Sequence, residues 1–255
     1  MSRWHILRFA ARDLLESSMA AADSSLPPEV QRYLTMGANL LGDDLPVDTL
    51  RFVSLDCETT GTNAKKDRLI TMGAITVQDG EILLEDQFEA LLQISHNTSS
   101  VLVHGIPAEV AARDGVEEAV ALRKFLDYLR DGVIVGHHIG FDVEVIQRAC
   151  QRSWGIDLSN RWVDTMELTL HLEDAGAFDQ MRDGLNTRNP FRDYSLDGLC
   201  RLFRIAPHDR HTAAGDAFIT AQIFLKLVRM AKHQGRTTLG QLAERYVDPR
   251  AAESE

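Results

Sequence analysis

Five residues of this chain combine a reactive type with a telling position. Asp56 and Glu58 lie in Val53-Ser-Leu-Asp-Cys-Glu-Thr-Thr-Gly-Thr62, one residue apart at the end of a hydrophobic run. On a strand, residues i and i+2 leave the same face, so the two carboxylates stand side by side. They repel unless a cation sits between them, and a hard divalent ion with oxygen ligands meets that need. The other reading of Asp-x-Glu alone is that the strand stops at Asp56 and both acids are solvated loop charges. Asp142 closes Gly136-His-His-Ile-Gly-Phe-Asp142, at the start of a helix, where a lone Asp also serves as a charge favoured by the helix dipole. Asp216 closes His211-Thr-Ala-Ala-Gly-Asp216 and falls on the apolar side of a helix, between Ala213 and Ala217. An acid there must be paired or metal-bound. His211 stands just before that helix, where a lone His is usually a surface residue.

The elements that would carry these residues are legible in the hydrophobic pattern. Arg51 to Asp56 reads as a strand. Arg68 to Gln78 and Glu81 to Leu92 read as two more, joined at the turn Asp79-Gly80. Val116 to Leu129 has helical spacing, and Val133 to Val135 is a short apolar strand. A helix follows over Phe141 to Arg152, then a strand at Trp162 to Asp164. Ser195 caps a helix to Phe203, and a long helix covers Thr212 to Lys232. Three hairpin-like strands followed by alternating helices and strands predict a mixed α/β sheet covered by helices.

Flanking segments differ. Residues 1–49 read as a helical extension, with Leu7, Ala11, Leu14 and Leu15 at helical spacing and a second helix over Val30 to Leu41. The main domain is expected over 50–235, and a C-terminal helix and tail over 236–255. The stretch from Glu173 to Asp193, rich in Gly and Asn, is expected to contain a long loop in which Arg182, Arg188 and Arg192 contact phosphates or simply face solvent.

Composition narrows the class. The chain has 255 residues, 44% hydrophobic and 25% charged, with a formal net charge of −11. That balance argues against coating nucleic acid with a broad basic surface, but not against gripping one strand end locally. Three cysteines make a disulfide framework improbable. No apolar run is long enough for a membrane span. His5, Arg8, Arg12 and Asp13 interrupt any export signal, so the cytoplasm is expected.

The ordered set Asp-x-Glu-Thr-Thr-Gly, Phe-Asp after a short strand, and His-x-x-x-x-Asp on a late helix resembles the DnaQ-like 3′–5′ exonucleases of the DEDDh type. His104-Gly-Ile106, Asp164-Thr165 and Ser195-Leu-Asp-Gly-Leu-Cys200 add to the match, which spans roughly Leu50 to Arg229. His138 departs from it, standing where the family usually carries Asn. The resemblance implies a ribonuclease H-like fold and removal of nucleotides from 3′ ends with two divalent ions, Mg²⁺ or Mn²⁺. It implies Asp56, Glu58, Asp142 and Asp216 as metal carboxylates and His211 as general base. It places Thr59, Thr60 and Gly61 near the terminal nucleotide, with Phe141 and His104 bordering the same pocket. The Asp-Cys-Glu-Thr-Thr-Gly form is closer to the DNA-proofreading branch, as in the epsilon subunit of bacterial DNA polymerase III, than to the oligoribonuclease branch. DNA ends are therefore the favoured partner and RNA the alternative. A non-catalytic adaptor with the same fold is the remaining alternative. Residues 1–49 are expected to dock a protein, pair two subunits or cap the domain.

Overall fold

The computed structural model describes residues 25–36, 41–94, 105–179 and 193–247. Five strands form one sheet in the order β3-β2-β1-β4-β5. These are β1 (Phe52–Thr59), β2 (Leu69–Gln78), β3 (Glu81–Leu91), β4 (Val133–Gly136) and β5 (Trp162–Asp164). β1, β2 and β3 pair antiparallel, whereas β4 and β5 run parallel to β1. The β2–β3 turn sits where expected, with Asp79 and Gly80 both at positive φ, as a tight hairpin turn requires. β1 extends past Asp56 through Glu58 to Thr59, held by its pairing to β2. The solvated-loop alternative for the two acids therefore does not apply.

Helices cover both faces. α1 (Pro28–Thr35), α3 (Glu118–Leu129) and α4 (Gly140–Trp154) close one face over Val53, Leu55, Met72 and Ile134. α5 (Thr165–Asp174), α6 (Leu196–Phe203), α7 (Ala213–His233) and α8 (Leu239–Leu242) close the other over Phe52, Val77, Val135 and Val163. A short α2 (Ala108–Asp114) contributes to a small separate cluster with Ile70 and Ile94. The alternation of Phe52 and Val53 between the two cores is the period-2 pattern of a strand buried on both sides.

Several expectations are corrected. The helix expected over Val30 to Leu41 runs over Pro28–Thr35, opened by prolines at 27 and 28. α5 was not anticipated: it begins where Asp164 caps β5's end by accepting the Met166 N–H. α2 was also missed, because seven residues carry little periodic signal. The described parts of both flanks pack onto the body: Val30 and Tyr33 are buried in one core, Val47, Leu239 and Leu242 in the other. The helix expected around Leu7 to Leu15, His104, and Arg182, Arg188 and Arg192 lie outside the described residues. No helix among the described residues is long and apolar enough to cross a membrane.

Asn160 anchors α1 to the sheet. Its Oδ1 accepts the Tyr33 hydroxyl at 2.5 Å, and its Nδ2 donates to the carbonyls of Arg130 and Gly132 at 2.9 and 2.8 Å. Asn160→Ala leaves three polar groups without this partner in a buried place, and is expected to lower stability by about 3 kcal/mol in urea denaturation.

Candidate active site

β4 pairs with β1 only through Phe52, Val53 and Ser54. Beyond that point one edge of β1 is open, and Asp56 and Glu58 project from this free end. Phe52, Ser54, Asp56 and Glu58 all face α7, which runs down β1 in the opposite sense. Phe224 meets the Phe52 ring at 4.8 Å between centroids, and the buried Ser54 hydroxyl donates to the Ala217 carbonyl at 2.8 Å. Asp216, one residue before Ala217, thus arrives against Asp56 and Glu58. Ligand oxygens of the three carboxylates lie within 4.8 Å of one another.

Gly73 makes that approach feasible. It is paired directly with Asp56 across β1 and β2. A Cβ at Gly73 would lie 2.3 Å from backbone atoms of Ala213 and Ala214. Only the missing side chain lets the start of α7 press on the sheet beside Asp56. At the N-terminus of α7, Thr212 accepts the Gly215 N–H at 3.1 Å, and Asp216 sits in the first turn, where the helix dipole favours a negative charge.

Asp142, the third residue of α4, comes to the open edge of β1 from the other side. The N–H groups of Asp142 and Cys57 and the Cys57 thiol lie beside its carboxylate and favour the charged form. Cys57, between the two acids in sequence, points away from them, and burial keeps its thiol protonated and able to donate. The turn before α4 is braced by the start of α5. Asp164 accepts the His138 N–H at 3.0 Å, with His138 at φ 56, and the Thr165 hydroxyl donates to the Gly136 carbonyl at 3.1 Å. His137 Nδ1 lies 3.0 Å from that hydroxyl, and burial lowers the imidazole pKa to about 4. His137 is thus neutral and braces this turn.

Without a cation the acids strain against their ionised forms. Burial, then the charges of Asp142, Asp216 and Glu58, push Asp56 well above the usual carboxylate range, with Arg210 acting against them. Burial and the Asp216 charge raise Glu58 to about 7. Burial raises Asp142 to about 7 despite its three donors. A partly open cluster of oxygen ligands with excess negative charge suits a hard divalent ion. Asp56, Glu58 and Asp216 are the residues able to hold it, with Asp142 adjoining.

Residues 53–224 match the RNase_T family of exonucleases. The chain belongs to this DnaQ-like exonuclease family. The DNA polymerase III PolC-type of Thermotoga maritima is 32% identical over 204 residues, covering 79% of this chain and 14% of that protein. The Bacillus subtilis counterpart is 27% identical over 212 residues, covering 78% and 14%. The chain thus spans a small part of the curated relatives it matches. The structure resembles E. coli exonuclease I in complex with a dT13 oligonucleotide (TM-score 0.58, 18% identity, 73% of this chain and 42% of that chain). Exonuclease I from Methylocaldum szegediense is similar (TM-score 0.56, 17% identity, 72% and 41%). At these identities the likeness is one of fold, and it agrees with the ribonuclease H-like sheet expected from the motifs.

The remaining family positions are placed as follows. His211 adopts a left-handed backbone, φ 63, just before α7, with its side chain exposed. Its N–H donates to Asp216 Oδ2 at 3.3 Å, but its ring is not part of the carboxylate cluster. Thr59 and Thr60 spend their hydroxyls on the turn itself. Thr59 donates to the Gly61 carbonyl at 2.6 Å and Thr60 to Asp67 Oδ1 at 2.9 Å. Gly61 makes room for the Asp67 carboxylate, which a Cβ would meet at 2.8 Å. Phe141 is partly buried and packs on the core beneath α4.

Sequence reasoning missed Gly73, Cys57, Arg210 and the role of Asp197. The lone glycine inside the strand pattern Thr-Met-Gly-Ala-Ile was a usable signal of close backbone approach. The others had none, since their partners are distant in the chain or on the far side of a helix cap.

Two outcomes follow for the family's acid cluster. Gly73→Ala is expected to cost about 1–3 kcal/mol in thermal or urea unfolding by wedging α7 off the sheet, and to lower divalent-ion binding. The unfolded chain ionises Glu58 and Asp142 near 4.5 and 3.8, whereas the folded chain keeps their protons up to about 7. Their contribution to metal-free stability is therefore complete below those lower values and lost as pH rises through about 7. Unfolding in EDTA between pH 4.5 and 8 is expected to show that fall, and Asp142→Asn to flatten it.

Proposed function

We propose that the chain is a metal-dependent 3′–5′ exonuclease that removes nucleotides from DNA ends. The observation that carries this is the meeting of Asp56, Glu58 and Asp216, separated by up to 160 positions in sequence, within 4.8 Å, with Asp142 beside them. A binding module has no need to gather acids that repel one another. The DNA polymerase III names of the relatives favour DNA over RNA.

Asp56, Glu58 and Asp216 would hold the ions, with Mg²⁺ or Mn²⁺ matching their oxygen chemistry. Two bound divalent ions supply the charge that activates water and steadies the leaving oxygen of the phosphodiester. Asp142, beside the Cys57 thiol and N–H at the open edge of β1, would add a further carboxylate for the ions. His211, exposed and outside the cluster, is free to take a proton from the attacking water. Its backbone bond to Asp216 keeps it next to the site. Thr59 to Gly61 form the turn at the end of β1 and would meet the terminal nucleotide.

A 5′-labelled single strand incubated with the protein and Mg²⁺ or Mn²⁺ is expected to shorten stepwise from its 3′ end, and EDTA to stop it. Asp56→Ala is expected to abolish cleavage. His211→Ala is expected to slow it on the order of 10²–10⁴-fold at neutral pH, mainly in kcat. Equal cleavage by wild type and Asp56→Ala would overturn the proposal. A matching RNA strand, degraded faster than DNA, would move the substrate to RNA.

A further inference from the structure

Arg210 carries a role that the acids alone do not explain. Its Nε donates to Asp197 Oδ1 at 2.7 Å, and its Nη1 donates to Asp216 Oδ1. Its side chain is 17% exposed, so this is a pair largely withdrawn from water. Among the described residues no other cationic side chain forms an ion pair with Asp56, Glu58, Asp142 or Asp216. Asp216's second oxygen accepts the His211 N–H. Both oxygens of a central metal carboxylate are therefore already engaged by donors of the protein.

We propose that Arg210 is a built-in counter-ion that holds Asp216 in the metal-free chain, and that a divalent ion binds by displacing its guanidinium from that carboxylate. The proposal rests on the metal-site reading above. Three adjoining carboxylates repel one another, and the guanidinium paired with Asp216 offsets part of that charge. A divalent ion in the same place meets a like charge close by, which weakens its binding. Asp197, half exposed, tethers Arg210 through Nε, so the displaced guanidinium stays beside the cluster instead of swinging into solvent. Arg210 is thus a positioning residue that trades metal affinity for a stable metal-free fold.

The test is calorimetric titration of Mn²⁺ into the EDTA-stripped full chain at pH 8, for wild type, Arg210→Gln and Arg210→Lys, with Tm recorded before and after. Arg210→Gln is expected to bind Mn²⁺ roughly tenfold more tightly, the size of one charge-assisted hydrogen bond. Its metal-free Tm is expected to fall, and its Mn²⁺-loaded Tm to match wild type. Arg210→Lys, which keeps the charge, is expected to stay near wild type in both. Mn²⁺ binding by Arg210→Gln that is equal to or weaker than wild type overturns the inference, as does Arg210→Lys behaving like Arg210→Gln. Absence of Mn²⁺ binding in every variant overturns the metal site itself. If Arg210→Gln unfolds when stripped, recovery of its circular dichroism on Mn²⁺ addition supports the inference and failure to recover counts against it.

Discussion

Like charges held together in a partly dry place are the constraint around which this protein is built. Asp56, Glu58 and Asp216 repel one another when ionised, and burial adds to the cost for Asp56 and Glu58. Keeping them within 4.8 Å requires rigid support from outside the cluster. That support is ordinary packing: Phe52 against Phe224, Ser54 bonded to the Ala217 carbonyl, and a glycine at position 73 where any side chain would hold α7 away. The stable core therefore bears the cost of an unstable site, a division seen wherever local strain is kept for function.

The same logic shapes the second carboxylate arm. Asp142 lies on a different helix and meets β1 at an edge that β4 leaves open after Ser54. Because β4 stops early, the Cys57 N–H faces α4 instead of a neighbouring strand, and it favours the charged Asp142 carboxylate. Asp164 and Thr165 then hold the turn between β4 and α4 through hydrogen bonds to His138 and Gly136. His138 stands where the family usually has Asn, yet the contact made at this position is through its backbone N–H, which any residue supplies. The departure from the family pattern thus leaves the brace intact.

Family motifs proved to mix two kinds of residue. Asp56, Glu58 and Asp216 gather at one place, with Asp142 adjoining. Thr59, Thr60, Asp164 and Asp197 also make bonds that shape the backbone or hold other side chains. Conserving a turn's geometry and touching a substrate leave the same mark in a short motif, so only contacts separate them.

Much was legible from residues alone. The strand period placed Asp56 and Glu58 on one face, the hairpin turn at Asp79 and Gly80 and the cap Ser195 fell where their chemistry put them, and an acid on the apolar side of α7 demanded a partner. These are local properties, set by backbone geometry over a few residues. What the tertiary structure alone decided were the long-range meetings. These are Gly73 under the start of α7, the Cys57 thiol on Asp142, and Arg210 between Asp197 and Asp216. Each depends on how the sheet twists and how closely a helix settles on it, and neither is encoded in any short window of sequence.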